Sequence, residues 1–170
     1  SLKNAVLHVK DCELADLINI IDESKQPVII AGGGVKNSLC HDKILELSNY
    51  LRIPMVASAG HGDVIPFYEN LYAGQMGPRG NPIASQLIKD ADVILALGTR
   101  LGFNSTFYSY ENINREASII QIDINEKSLG RYFPISVGIC NDISQVTKQL
   151  FIKVQEQQKF PTYENWTNNF

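Results

Sequence analysis

Only three cysteines and three histidines occur in the 170 residues, and neither set has the spacing of a metal site. Cys12, Cys40 and Cys140 are an odd number, lie far apart and fall in or beside apolar runs, which predicts reduced thiols acting as small core residues rather than a disulfide frame. His8, His41 and His61 have no companion acids at ligand spacing. His41 falls on an amphipathic segment and reads as a surface residue, and the GHGD run at 60–63 reads as a turn. No GxSxG elbow and no GxxxxGK[ST] loop is found, so the chain offers neither a serine nucleophile nor a P-loop. Basic residues number 15 against 18 acidic ones and form no cluster along any segment, which argues against nucleic acid as a partner. No apolar run reaches membrane-spanning length, and no basic start leads into a greasy stretch, so neither a membrane nor a secretory signal is expected and the cytoplasm is the expected location.

What is present is a rhythm. Apolar content of 44% suffices for a core without staples. Short apolar runs at 28–30, 55–57, 93–97, 119–122 and 136–139 recur between amphipathic segments at 12–24, 38–51, 82–90 and 142–157. Runs of that length predict parallel strands buried on both faces and alternating with helices. A minor strand near 71–73 brings the sheet to six. Right-handed crossovers then predict a three-layer, doubly wound, Rossmann-like α/β fold with a parallel sheet in the order 3-2-1-4-5-6. The second helix is expected to run unbroken, with Asn37 or Ser38 as its cap and Leu39, Ile44, Leu47 and Leu51 on its apolar face. Residues 1–10 read as a leader or tag remnant with linker, 11–158 as the domain, and the polar, aromatic stretch 159–170 as a connector to a further carboxyl-terminal domain.

The candidate site follows from the glycines. Gly32, Gly33 and Gly34 leave the first strand, and Gly98, Thr99 and Arg100 leave the fourth, its neighbour in the proposed order. In such sheets ligands lie beyond the carboxyl ends of the strands where the crossovers diverge. Glycines there allow close approach to the main chain, helix-start amides favour a pyrophosphate, and Arg100 adds a bidentate contact. The alternative is a tight strand-to-helix turn without a ligand. Asn37 stands where a dinucleotide fingerprint has its third glycine, and no acid closes a second strand near Arg52, which weakens a nicotinamide reading. A third cluster, GQMGPRG, places Gly77, Arg79 and Gly80 between the third strand and the next helix, either facing the crevice or forming a solvated loop. At the end of the fifth strand, Asp123 and Asn125 either accept from a ribose hydroxyl or adenine amine or cap the turn at 126–129.

Taken in order, AGGGV, GPRG, DADVILALGTRL and IIQIDINEKSLG resemble the central domain of thiamine-diphosphate-dependent enzymes of the acetohydroxyacid synthase and pyruvate oxidase group. Within that group, ALGTRLGFNSTFYSYENI and VGICNDISQVTKQL are similar to the sulfoacetaldehyde acetyltransferase family. The resemblance implies a non-catalytic central domain that acts as scaffold and nucleotide site. Its partners would be neighbouring pyrimidine- and diphosphate-binding domains, within a homodimer or homotetramer. Thiamine diphosphate and Mg2+ would be bound outside this chain: the group's GDG motif with its paired asparagine is missing, since Asn168 and Asn169 follow no GDG. Where FAD-binding members continue with an FDD-type sequence, this chain reads Leu101, Gly102, Phe103, Asn104. The resemblance allows ADP or FAD at the glycine and IDIN positions and requires neither. Two alternatives stand beside it, the central domain of an acetolactate synthase-like 2-oxo acid enzyme and a free-standing nucleotide or dinucleotide-binding module.

Overall fold

A computed structural model describes residues 9–106, 108–157 and 160–169. Five apolar runs and the minor one become strands: β1 (Pro27–Ala31), β2 (Met55–Ala57), β3 (Tyr72–Gln75), β4 (Val93–Leu97), β5 (Ser118–Asp123) and β6 (Val137–Cys140). They form one parallel sheet in the order β3-β2-β1-β4-β5-β6, as the alternation of runs and helices predicts. β1 and β4 lie at its centre, paired residue for residue from Pro27 with Val93 to Ala31 with Leu97. Every residue of both is buried, which is why they read as continuous apolar runs rather than as an alternation.

The main helices are α1 (Asp11–Glu23), α2 (Gly33–Ser38), α3 (His41–Leu51), α4 (Pro82–Asp90), α5 (Phe103–Thr106), α6 (Ile143–Glu156) and α7 (Glu164–Thr167). α6 packs against α1, α2 and α3, which places these in one layer, while α4 packs on β3 along the crossover to β4. Two helices start as their sequences dictate. Asn81 accepts from the Ile83 amide ahead of Pro82, and Asp142 accepts from the Ser144 amide.

The expected unbroken helix over 38–51 is instead two helices, and the glycine run itself is helical. α2 ends at Leu39, which adopts left-handed backbone (φ 53), and α3 begins after Cys40, so neither Asn37 nor Ser38 serves as its cap. The reason lies in burial. Val35 and Ile44 are both fully buried, yet nine residues at 3.6 per turn would put them roughly 180° apart on one straight helix. A break between them lets both face the core, and leaves Leu39 82% exposed. All three cysteines are free thiols, as expected, but only Cys40 is the expected core residue: it is buried, and burial together with the Asp142 carboxylate pushes its thiol up to about 11. Cys12 and Cys140 are exposed, the first on the solvent side of α1, opposite Leu14, Leu17, Ile18 and Ile21, and the second at the end of an edge strand.

At the amino edge of the sheet the stretch 160–169 returns to the core. The Tyr163 amide donates to the Leu51 carbonyl (2.9 Å) and its hydroxyl to the Ile21 carbonyl, while Trp166 Nε1 donates to the Pro27 carbonyl (2.9 Å). Burial pushes the Tyr163 hydroxyl up, with Asp22 and Asp92 adding to it. Asp92 secures the turn into β1 by accepting from Ser24 Oγ (2.5 Å) and from the amides of Lys25 (2.8 Å) and Gln26 (3.0 Å). No helix among the described residues is long and apolar enough to cross a membrane.

Candidate functional site

The chain leaves β1 and β4 in opposite directions, and at their carboxyl ends the two glycine loops meet. The Gly32 amide donates to the Leu97 carbonyl (2.9 Å) and the Gly34 amide to the Gly98 carbonyl (3.0 Å). The contact is backbone on backbone. A Cβ on Gly32 would lie 2.5 Å from the Gly98 oxygen, one on Gly34 2.7 Å from the Gly98 Cα, and Gly98 itself sits at φ +62. Those amides are therefore spent on the neighbouring loop. The amides left without a partner among the described residues are others: that of Gly33, at the first position of α2 and so without an intrahelical partner, and those of Thr99 and Arg100.

Around this junction lies a cleft of about 610 Å³. Of the residues singled out in the sequence, Gly33, Gly34, Gly98, Thr99, Arg100 and Asp123 line it. Gly32 is buried behind them. Gly77 and Arg79 border an adjoining hollow of about 470 Å³, which shares Ala59 with the cleft. Gly80 lies with Gly77 in a third hollow of about 230 Å³, reached past Ser105, where the Gly80 amide donates to the Gly77 carbonyl. Asn125 stays outside all of these: its side chain accepts from the Lys127 amide (3.0 Å) and caps the 3-10 turn Glu126–Ser128. Asp123 uses one carboxylate oxygen for the Asn125 amide (2.9 Å), and its other oxygen takes part in no hydrogen bond among the described residues.

Arg100 is exposed at the cleft and forms neither an ion pair nor a hydrogen bond with any described residue. A guanidinium left in this way offers a planar fork to an oxyanion. Opposite it, His61 closes the cleft over α2, its Cε1 only 2.8 Å from where a Cβ on Gly33 would stand. The loop carrying His61 is tied to α2 by Lys36 and Asp63 (2.6 Å), and Lys36 holds the Asp63 carboxyl below its ordinary range. The other end of that loop is fixed by the Ala59 amide donating to Ser105 Oγ (2.9 Å).

Sequence reasoning missed the residue that organises the far wall. Gln121 in β5 is buried, and its Nε2 donates to the carbonyls of Thr99 (3.1 Å) and Ser128 (2.8 Å) while its Oε1 accepts from the Gly130 amide (2.8 Å). One side chain thus holds the β4 and β5 loops at a fixed separation. The signal was present as the single polar residue inside the run IIQI. Ser58, Ser105, Tyr108 and Ser128 also line the cleft, and nothing in their local sequence marks them.

The donor set therefore fits a diphosphate at Arg100 and the loop amides, and the open Asp123 oxygen fits a ribose hydroxyl across the switch point. Among the described residues no group of three or more His, Cys, Asp or Glu could hold a metal ion.

Comparison with known proteins agrees with the fold. A family model described as thiamine pyrophosphate enzyme, central domain, matches residues 14–150. A probable sulfoacetaldehyde acetyltransferase of Rhizobium meliloti (strain 1021) is 37% identical over 139 residues, which is 81% of this chain and 24% of that protein. The sulfoacetaldehyde acetyltransferase of Castellaniella defragrans is 40% identical over 125 residues, 72% of this chain and 21% of that protein. An acetolactate synthase large subunit of Buchnera aphidicola subsp. Schlechtendalia chinensis is 29% identical over 160 residues, 91% and 27% respectively. The chain spans about a quarter of the length of these curated relatives. With a match over most of its length and a parallel sheet in the expected order, this chain belongs to the family of thiamine pyrophosphate enzyme central domains.

Proposed function

We propose that the chain is the scaffold and nucleotide-binding part of a cytoplasmic thiamine-diphosphate-dependent acetyltransferase, and that its cleft takes a nucleoside diphosphate such as ADP, alone or within FAD. The observation that carries the nucleotide reading is Arg100, exposed and without a partner among the described residues where the β1 and β4 loops join. The diphosphate would lie on Arg100 and the amides of Thr99 and Arg100, with the ribose toward Asp123. Thiamine diphosphate and Mg2+ would bind elsewhere in the parent, between its pyrimidine- and diphosphate-binding domains, in a homodimer or homotetramer. The role of this chain in catalysis is then to hold those domains in place.

Calorimetric titration with ADP, FAD and NAD tests the site. ADP or FAD binds under this reading, and Arg100→Ala weakens either by roughly 1.5 to 3 kcal/mol through loss of a charge-assisted hydrogen bond. Unchanged affinity would remove Arg100 from the site, and tight NAD binding would favour an independent dinucleotide module. The names of the relatives support acetyl transfer from sulfoacetaldehyde, and the parent reaction in this reading is sulfoacetaldehyde and phosphate giving acetyl phosphate and sulfite. The parent supplied with thiamine diphosphate, Mg2+, phosphate and sulfoacetaldehyde should release sulfite. Consumption of pyruvate instead would favour an acetolactate synthase-like enzyme, the second class among the relatives.

A further inference from the structure

The connection from β2 to β3, residues 58–71, is long and contains neither helix nor strand. Connections in compact α/β domains usually take about 2 to 6 residues, and much longer ones commonly serve as lids or binding loops. This one is pinned at three points. The Ser58 amide donates to the Ala31 carbonyl (2.9 Å), Val64 and Ile65 are buried, and the Leu71 carbonyl accepts from the Met55 amide (2.8 Å). Between the first two pins the chain arches along the cleft as two successive turns, the His61 amide donating to the Ser58 carbonyl (3.0 Å) and the Val64 amide to the His61 carbonyl (3.1 Å). The Tyr72 hydroxyl donates to the Gly62 carbonyl (3.1 Å). The main chain of the arch is therefore fixed, and its side chains are what can move.

Among the described residues the arch meets α2 through the His61 ring, against Gly33, and through the Lys36–Asp63 pair. Both contacts are weak. The imidazole makes no hydrogen bond to any described residue, so packing alone holds it down. The Lys36 and Asp63 side chains are 63% and 62% exposed, and a pair so placed favours its closed arrangement by a factor of only about 1.5 to 5. Yet the sequence makes room for the ring. Gly33 does not adopt positive φ, so its backbone does not demand glycine; a Cβ there would stand 2.8 Å from His61 Cε1. Glycine at this position is what lets the imidazole come down onto the helix.

We propose that His61 is a gate at the α2 end of the cleft and that the Lys36–Asp63 pair is its latch. Shut, the ring lies on Gly33; open, the pair separates and the ring swings toward the open space beside Gly60, where a Cβ would meet nothing within 4 Å. Opening breaks no main-chain hydrogen bond and frees the cleft wall formed by Gly33, Gly34 and Asn37. The gate governs access and rests on no choice of ligand, so failure of the nucleotide reading leaves its test intact.

The test measures the rate at which diethyl pyrocarbonate modifies each histidine, read by peptide mass spectrometry. His41, on α3 and outside the cleft with its side chain 45% exposed, is the internal reference. His61 is expected to react more slowly than His41 in the unaltered chain. Lys36→Met and Asp63→Asn each speed His61 about two- to fivefold and leave His41 unchanged, and the double variant is no faster than either. Removing a cation and removing an anion change the local charge in opposite senses, so acceleration in both marks release of the ring and not a change in its basicity. Salt at about 1 M brings the unaltered chain to the rate of the variants. Gly33→Ala supplies the second arm: its methyl group props the ring off the helix, so His61 reacts at the open rate at low and high salt alike while circular dichroism shows the fold retained. His61 as reactive as His41 in the unaltered chain, or a rate that moves in only one of the two latch variants or in neither, overturns the gate.

Discussion

Two glycines at positive φ separate geometry from packing. Gly98 (φ +62) and Gly60 (φ +85) share the backbone region that penalises a side chain, but a Cβ on Gly60 would meet nothing within 4 Å, whereas one on Gly98 would lie 2.6 Å from the Gly34 Cα. Gly60→Ala should therefore cost about 1 kcal/mol, the left-handed penalty alone. Gly98→Ala adds an overpacking cost and should lose about 3 kcal/mol or more, read from urea unfolding midpoints. Equal losses at the two sites would mean that the loop junction is not packed as described. This contact also shows what the run AGGGV could and could not tell. Three glycines in series announce that something approaches the main chain, but not what approaches. At Gly32 and Gly34 the visitor is the β4 loop and at Gly33 it is the His61 ring, all of the same chain, and what Gly33 leaves open is its amide, which has no partner among the described residues.

Among the elements, the strands were legible because burial on both faces writes an unbroken apolar run, and parallel pairing with right-handed crossovers leaves one simple order for six of them. Helix α3 was legible by its periodicity. The break at Leu39 was not, because it answers to the opposed burial of Val35 and Ile44, a demand of the tertiary packing rather than of local propensity. Gln121 shows the same division. Its position in a strand is plain from IIQI, but its bonds to two different loops exist only after β4 and β5 are paired. Gln121→Leu would fit an apolar strand by pattern, yet it leaves the Thr99 and Ser128 carbonyls and the Gly130 amide without their partner. The expected result is a loss of about 2 kcal/mol or more in stability. Since Thr99 and Ser128 both line the cleft, ADP affinity in calorimetry should fall as well. A variant as stable as the parent would show that the loops hold their spacing without this side chain.

Across the whole molecule the two edges of the sheet have different tasks. The carboxyl edge opens into the cleft between the β1 and β4 loops, whereas the amino edge is closed by Asp92, Tyr163 and Trp166. The stretch 159–170 reads as polar and aperiodic, so the sequence suggests a connector, and only burial distinguishes a connector from a clamp. Tyr163 and Trp166 are 4% and 6% exposed, which places their rings within the core's edge. Trp166 is the sole tryptophan, so its fluorescence reports on this segment alone. If the segment is integral to the fold, fluorescence and far-ultraviolet circular dichroism should change together on urea unfolding. Trp166→Ala should then cost about 3 kcal/mol, through lost burial and an orphaned Pro27 carbonyl. It should leave ADP affinity unchanged, because the clamp and the cleft occupy opposite ends of the strands. Fluorescence that shifts well before the dichroism, or a loss below about 1 kcal/mol, would instead mark the segment as a linker resting on the domain.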